Sequence, residues 1–128
     1  MKISFSWKRD VDSIYPVCSS ITENNDGKSI LSSLLMDDGG LPYNDTIDWV
    51  EEGIKRLNSV LTSECASFYW DRERWGAEFT IENAQIYSLL DDSYFQVLTT
   101  QQLKNALLEW KLFLESTPNI ENIIEVDL

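Results

Sequence analysis

Apolar and polar positions alternate most clearly between residues 67 and 98. In the run Ser67-Phe-Tyr-Trp-Asp, Phe68 and Trp70 share one side of a strand, and Tyr69, Asp71 and Glu73 share the other. In the next run Ala77, Phe79 and Ile81 oppose Glu78, Thr80 and Glu82. In the third, Ala84, Ile86 and Leu90 oppose Gln85 and Tyr87. Tyr94 to Leu98 is a further strand-like run. Arg74-Trp75-Gly76, Glu82-Asn83 and Asp91-Asp92-Ser93 supply turn residues between the runs. The pattern predicts an antiparallel meander of about four strands with one apolar face.

Elsewhere the period changes to that of a helix. Ile47, Val50, Ile54, Leu57 and Leu61 recur at three- and four-residue intervals and predict a helix opening at Asp45, with Asp45 as N-cap and Asp48 in the first turn. Glu51 with Lys55 and Glu52 with Arg56 stand four residues apart in the favourable order. Trp49 falls on a flank of this stripe, beside Gly53, as a core-edge residue or a partly exposed contact. A second helix spans Thr99 to Ser116. Thr99 with Gln102 fits a capping box, and Pro118 stops the helix. Leu103, Ala106, Leu107, Trp110, Phe113 and Leu114 form its broad apolar face. Leu108 and Leu112 lie nearly opposite, to be covered by a chain terminus or left for a partner. The expected architecture is α+β, a meander packed on one face by two main helices.

The first third of the chain is harder to read. Ile3 to Trp7 alternates as a short strand. Residues 8 to 29 read as loop with a short helix near Val11 to Tyr15, and Glu23-Asn-Asn-Asp-Gly27 as a turn. Ser29 to Met36 fits a strand or a helical turn equally well. Asp37-Asp-Gly-Gly-Leu-Pro42 breaks whatever precedes it. The length of 128 residues suits one domain, residues 1–128, with one core.

Charge narrows the partners. Asp and Glu total 22 and Lys and Arg total 10, for a net charge of -12. Such a balance opposes nucleic-acid phosphate and anionic lipid, which need clustered basic residues. It favours a basic protein partner, although simple solubility gives the same composition. No apolar run approaches the roughly 20 residues that cross a bilayer, and the first residues lack the apolar core of a signal peptide. A cytoplasmic location is expected.

The chain offers little for catalysis. It has no histidine, which rules out Ser-His and Cys-His nucleophiles and leaves only rarer serine-lysine arrangements. Gly39-Gly40 is followed by Leu-Pro rather than by a phosphate-binding helix. Asp37-Asp38 and Asp91-Asp92 sit beside turn residues, where solvated aspartates are expected. No segment has the ligand spacing of an EF-hand. Cys18 and Cys65 are too few for a zinc site or a disulfide framework, and read as reduced thiols or one disulfide. No enzyme activity, cofactor or metal is expected.

The remaining signal is the polar face of the meander. Tyrosines supply rigid contact area, and carboxylates supply charge-assisted hydrogen bonds to Arg or Lys. A merely solvated face would also be polar, but like charges facing each other across strands are mildly destabilising. The candidate partner-binding residues are Tyr69, Asp71, Glu73, Glu78, Glu82, Tyr87, Asp91 and Asp92.

The run Trp75-Gly-Ala-Glu-Phe-Thr-Ile81, followed by Leu98-Thr-Thr-Gln-Gln-Leu103 and Leu108-Glu-Trp-Lys-Leu-Phe-Leu114, resembles small cytoplasmic immunity proteins of bacterial contact-dependent growth-inhibition and related polymorphic toxin systems. The resemblance covers roughly residues 67 to 116. It implies a protein that binds a co-encoded toxin domain, often a nuclease, and blocks it; the acidic face would then cover the toxin's basic active site. The competing reading is an acidic adaptor or structural subunit, with Leu108 and Leu112 in a homo-oligomer interface.

Overall fold

A computed structural model describes residues 1–20 and 29–128. Its elements in chain order are β1 (Lys2–Arg9), β2 (Ile14–Ser20), α1 (Ile30–Met36), a 3-10 turn (Tyr43–Thr46), α2 (Ile47–Leu61), β3 (Ser67–Asp71), β4 (Trp75–Thr80), β5 (Asn83–Ser88), β6 (Phe95–Thr99), α3 (Thr100–Glu115) and β7 (Ile123–Asp127). The fold is α+β. β3 to β6 form the expected antiparallel meander, in the order β3-β4-β5-β6. A second antiparallel sheet, β2-β1-β7, joins the two ends of the described chain.

The helices pack against the apolar face of the meander. Trp70, Ala77 and Ile86 make one inward row, and Phe79, Ala84 and Leu98 belong to the next; all six are buried. α3 is held at its start by the predicted capping box, in which Thr99 Oγ1 accepts from Gln102 N at 3.0 Å and Gln102 Oε1 accepts from Thr99 N at 3.0 Å. Its buried face is the expected one: Leu103, Ala106, Leu107, Trp110, Phe113 and Leu114. Trp110 and Phe113 also meet the second sheet. Phe5 lies 5.1 Å from Trp110 in an edge contact, and Trp7 stacks on Phe113 at 4.9 Å. One core therefore runs from β1 through α3 to the meander.

Several expectations are corrected. Val11 to Tyr15 is not helical. Asp10 to Ser13 turns the chain, and Ile14 onward pairs with β1 from Arg9↔Ile14 to Ile3↔Ser20. The β-branched and aromatic residues of that stretch are used across strands, which a local pattern does not reveal. Ser29–Met36 resolves as a helix, with Ser29 capping Ser32 N. The predicted turn at 23–27 lies outside the described residues.

α2 starts at Ile47, not Asp45. The chain leaves Pro42 through a 3-10 turn that contains Asp45, and the Thr46 hydroxyl donates backwards to Tyr43 O at 2.6 Å instead of capping. Its fully buried residues are Val50, Gly53, Leu57 and Val60, while Ile47, Ile54 and Leu61 are half-buried. The pair Arg56–Glu52 forms at 3.0 Å, but Glu51 reaches Lys111 of α3 at 3.0 Å.

The hairpin turns also shift. Trp75 and Gly76 already belong to β4, so Arg72-Glu73-Arg74 turns the first hairpin and Ile81-Glu82 the second. Ile81 and Leu90 are therefore exposed, Leu90 by 79%. Leu108 and Leu112 stay exposed, at 38% and 63%, so neither terminus covers them.

Candidate functional site

Strand register decides which candidate residues meet. On the outer face of the meander, Tyr69 pairs with Glu78, Glu78 with Gln85, and Gln85 with Val97. The next outward row is Asp71, Gly76, Tyr87 and Phe95. Tyr69, Asp71, Glu78 and Tyr87 are thus brought together, as the alternation predicted.

Gly76 makes the centre of that patch possible. A Cβ there would collide with Asp71 Oδ1 and approach Tyr87 Cε2 to 3.1 Å. Without it, Asp71 and Tyr87 lean toward each other over the glycine, and the Tyr87 hydroxyl donates to Asp71 Oδ1 at 3.3 Å. Burial, the negative charge of Asp71 and this hydrogen bond push the Tyr87 pKa up to about 12. The phenol is therefore a proton donor across the physiological range.

Tyr69 is 54% exposed. On the β3 edge Arg56 of α2 donates from Nη1 to Tyr69 O at 2.9 Å and places its guanidinium 5.6 Å from the Tyr69 ring and 5.0 Å from that of Phe68. The charge of Arg56 is met by Glu52, at 3.0 Å.

The other four candidates are dispersed. Glu73 stands in the β3–β4 turn, and Asp91 and Asp92 in the β5–β6 loop, at the same end of the sheet. Asp91 Oδ1 accepts from Ser93 N and Oγ, the turn role expected of a loop aspartate. Glu82 lies in the β4–β5 turn at the opposite end.

Two residues of the patch escaped the sequence reading. Phe95 and Val97 on β6 face outward and are 53% and 56% exposed. Polar Gln96 points inward, where its Oε1 accepts from Leu31 N at 3.2 Å. Polarity alone would have turned this strand over. Its parity could have been read only from Leu98, which must enter the core just before the α3 cap. A shallow depression of about 300 Å³ runs over this face, lined by Glu78, Phe79, Thr80, Asn83, Gln85 and Val97.

Arg72 is 5% exposed, with its guanidinium 4.6 Å from the Trp49 ring and 4.9 Å from the Trp70 ring. Its Nε and Nη1 have no hydrogen-bond partner among the described residues, and burial pulls its pKa down to about 10 against Asp37 and Asp38, which favour its charge. Asp37 also ties the loop before α2 to the β3–β4 turn, with Oδ2 accepting from Arg74 N at 2.7 Å and Trp75 N at 3.0 Å.

A second cavity, of about 530 Å³, opens between β2, the end of α1, the loop at 41–46 and Trp110. Both cysteines are free, and burial pushes the Cys18 thiol up to about 11. No group of acidic and cysteine side chains among the described residues is arranged to hold a metal ion. No helix among the described residues is long and apolar enough to cross a membrane.

Comparison with protein-family models, with characterised proteins and with solved structures finds no significant match for this chain.

Proposed function

We propose that the protein is a stoichiometric inhibitor that binds a basic partner protein through the outer face of the β3–β6 sheet, as an immunity protein covers the active site of a cognate toxin in the cytoplasm. The observation that carries this reading is the composition of that face. Its outward strand positions combine exposed Tyr69, Phe95 and Val97 with Asp71 and Glu78, and include no lysine or arginine. Exposed aromatics beside carboxylates that form no ion pair among the described residues suit a protein interface better than a solvated surface, because aromatics contribute most of the energy at such contacts. The net charge of -12 would speed encounter with a cationic cleft. A nuclease toxin, whose cleft must attract phosphate, is the partner class that fits this charge.

The test pairs Tyr69→Ala with Glu78→Lys in one variant, both residues being exposed. The thermal midpoint of the free protein and its affinity for the toxin encoded beside it are measured together. The fold should be retained, because surface changes usually stay within about 0.5 kcal/mol. Affinity should fall by about 2–5 kcal/mol if Glu78 meets a buried partner charge. Unchanged binding at low salt would move the site to Trp49 and the Asp37 to Asp48 loop.

A further inference from the structure

The depression on the outer face is chemically asymmetric. Glu78 stands at one end, on β4, and Val97 at the other, on β6, with Gln85 of β5 between them. Two strand spacings separate the ends, about 10 Å. Thr80 and Asn83 complete its polar lining.

A ligand that fills it needs an apolar stem and a cationic head, and an arginine side chain has both. Nearby groups favour arginine over other cations. Tyr69 pairs across the strands with Glu78, and its ring already accepts one guanidinium, that of Arg56 at 5.6 Å. Arg56 itself is neutralised by Glu52 and not by Glu78. Also on β3, one outward row along and diagonal to Glu78, Asp71 is oriented by the Tyr87 hydroxyl. The carboxylate of Glu78 is therefore the accepting group of an acidic patch with no base among the outward strand positions.

We propose that this depression receives an arginine side chain of the partner protein, with its methylenes along Gln85 and Val97 and its guanidinium on Glu78. The proposal rests on reading this face as a protein-binding surface, and names the side chain that it recognises. Planar, two-pronged hydrogen bonding to a carboxylate and stacking on an aromatic ring both separate arginine from lysine.

The probe is a capped peptide of alternating arginine and valine, titrated into isotopically labelled protein and followed by amide chemical shifts. Its lysine counterpart and its uncharged citrulline counterpart serve as controls. The expected result is that shifts concentrate at Glu78, Gln85 and Val97, weaken with lysine and vanish with citrulline. Glu78→Gln should abolish them, and Val97→Ser should weaken them. Both positions are exposed, so folding is not at stake. Equal response to lysine, shifts spread over the acidic residues of α2, persistence in Glu78→Gln or no binding by any peptide overturns the proposal. The inhibitor reading is judged separately. If the cognate toxin binds while the peptides fail, only the arginine assignment is lost. If the peptides bind as expected and the toxin does not, only the inhibitor reading is lost.

Discussion

Gly53 of α2 lies directly against the indole of Trp70 on β3. A Cβ on Gly53 would stand 2.7 Å from Trp70 Cε2 and 3.0 Å from Leu107 Cδ1. That approach lets Trp70 reach the helix and donate from Nε1 to Trp49 O at 3.1 Å. Gly53→Ala should therefore destabilise the protein. Helix propensity favours alanine by about 1 kcal/mol, but overpacking a rigid buried ring costs about 1–3 kcal/mol. Chemical denaturation is the check, and a raised midpoint would show that the α2–β3 contact has slack.

Trp110 joins the two sheets through α3. It is 2% exposed and packs on Phe5 and Phe113. Trp110→Ala should cost about 3–5 kcal/mol. That is a large part of the total stability of a chain this size. An unaltered thermal midpoint would contradict the layered core described above.

Arg72 separates stacking from charge. Arg72→Met keeps most of the volume between Trp49 and Trp70 and removes a desolvated cation, so stability should stay within about 1.5 kcal/mol of the parent or rise. Arg72→Ala leaves the indoles without a filler and should cost about 2–5 kcal/mol. If the methionine variant is as unstable as the alanine one, the two cation–ring contacts outweigh the burial of charge.

Tyr87 should make stability depend on alkaline pH. Its folded pKa, about 12, lies above the ordinary tyrosine value of 10.0. The unfolded chain loses this proton first, so the contribution is fully present below about pH 10 and is lost as pH rises toward 12. Asp71→Asn should lower the Tyr87 pKa, since it removes a negative charge, yet leave it above the ordinary value because burial is the larger cause. Carbon-labelled tyrosine followed by NMR across that range reads the shift, and an identical titration in the variant would mean that Tyr87 does not sense Asp71.

The meander and α3 were legible in the sequence because their information is local. Alternation sorts Tyr69, Asp71 and Glu78 outward whatever else the chain does, since a strand has a side-chain period of two. The Thr99–Gln102 box lies within a single turn, and the apolar stripe from Leu103 to Leu114 needs only the helical repeat.

Tertiary structure decided what depends on distant residues. The second sheet exists because β1 meets β2 and also β7, from the far end of the chain, and nothing near Ile14 or Ile123 announces that pairing. The entry to α2 moved because Thr46 spends its hydroxyl on Tyr43. The candidate site divided for the same reason. Register across three strands placed Asp71 and Tyr87 over Gly76, whereas Glu82 and Asp91 went to opposite ends of the sheet. Phe95 and Val97 became part of the face only because Leu98 and Gln96 were needed inside, a demand set by α1 and the core rather than by their own polarity.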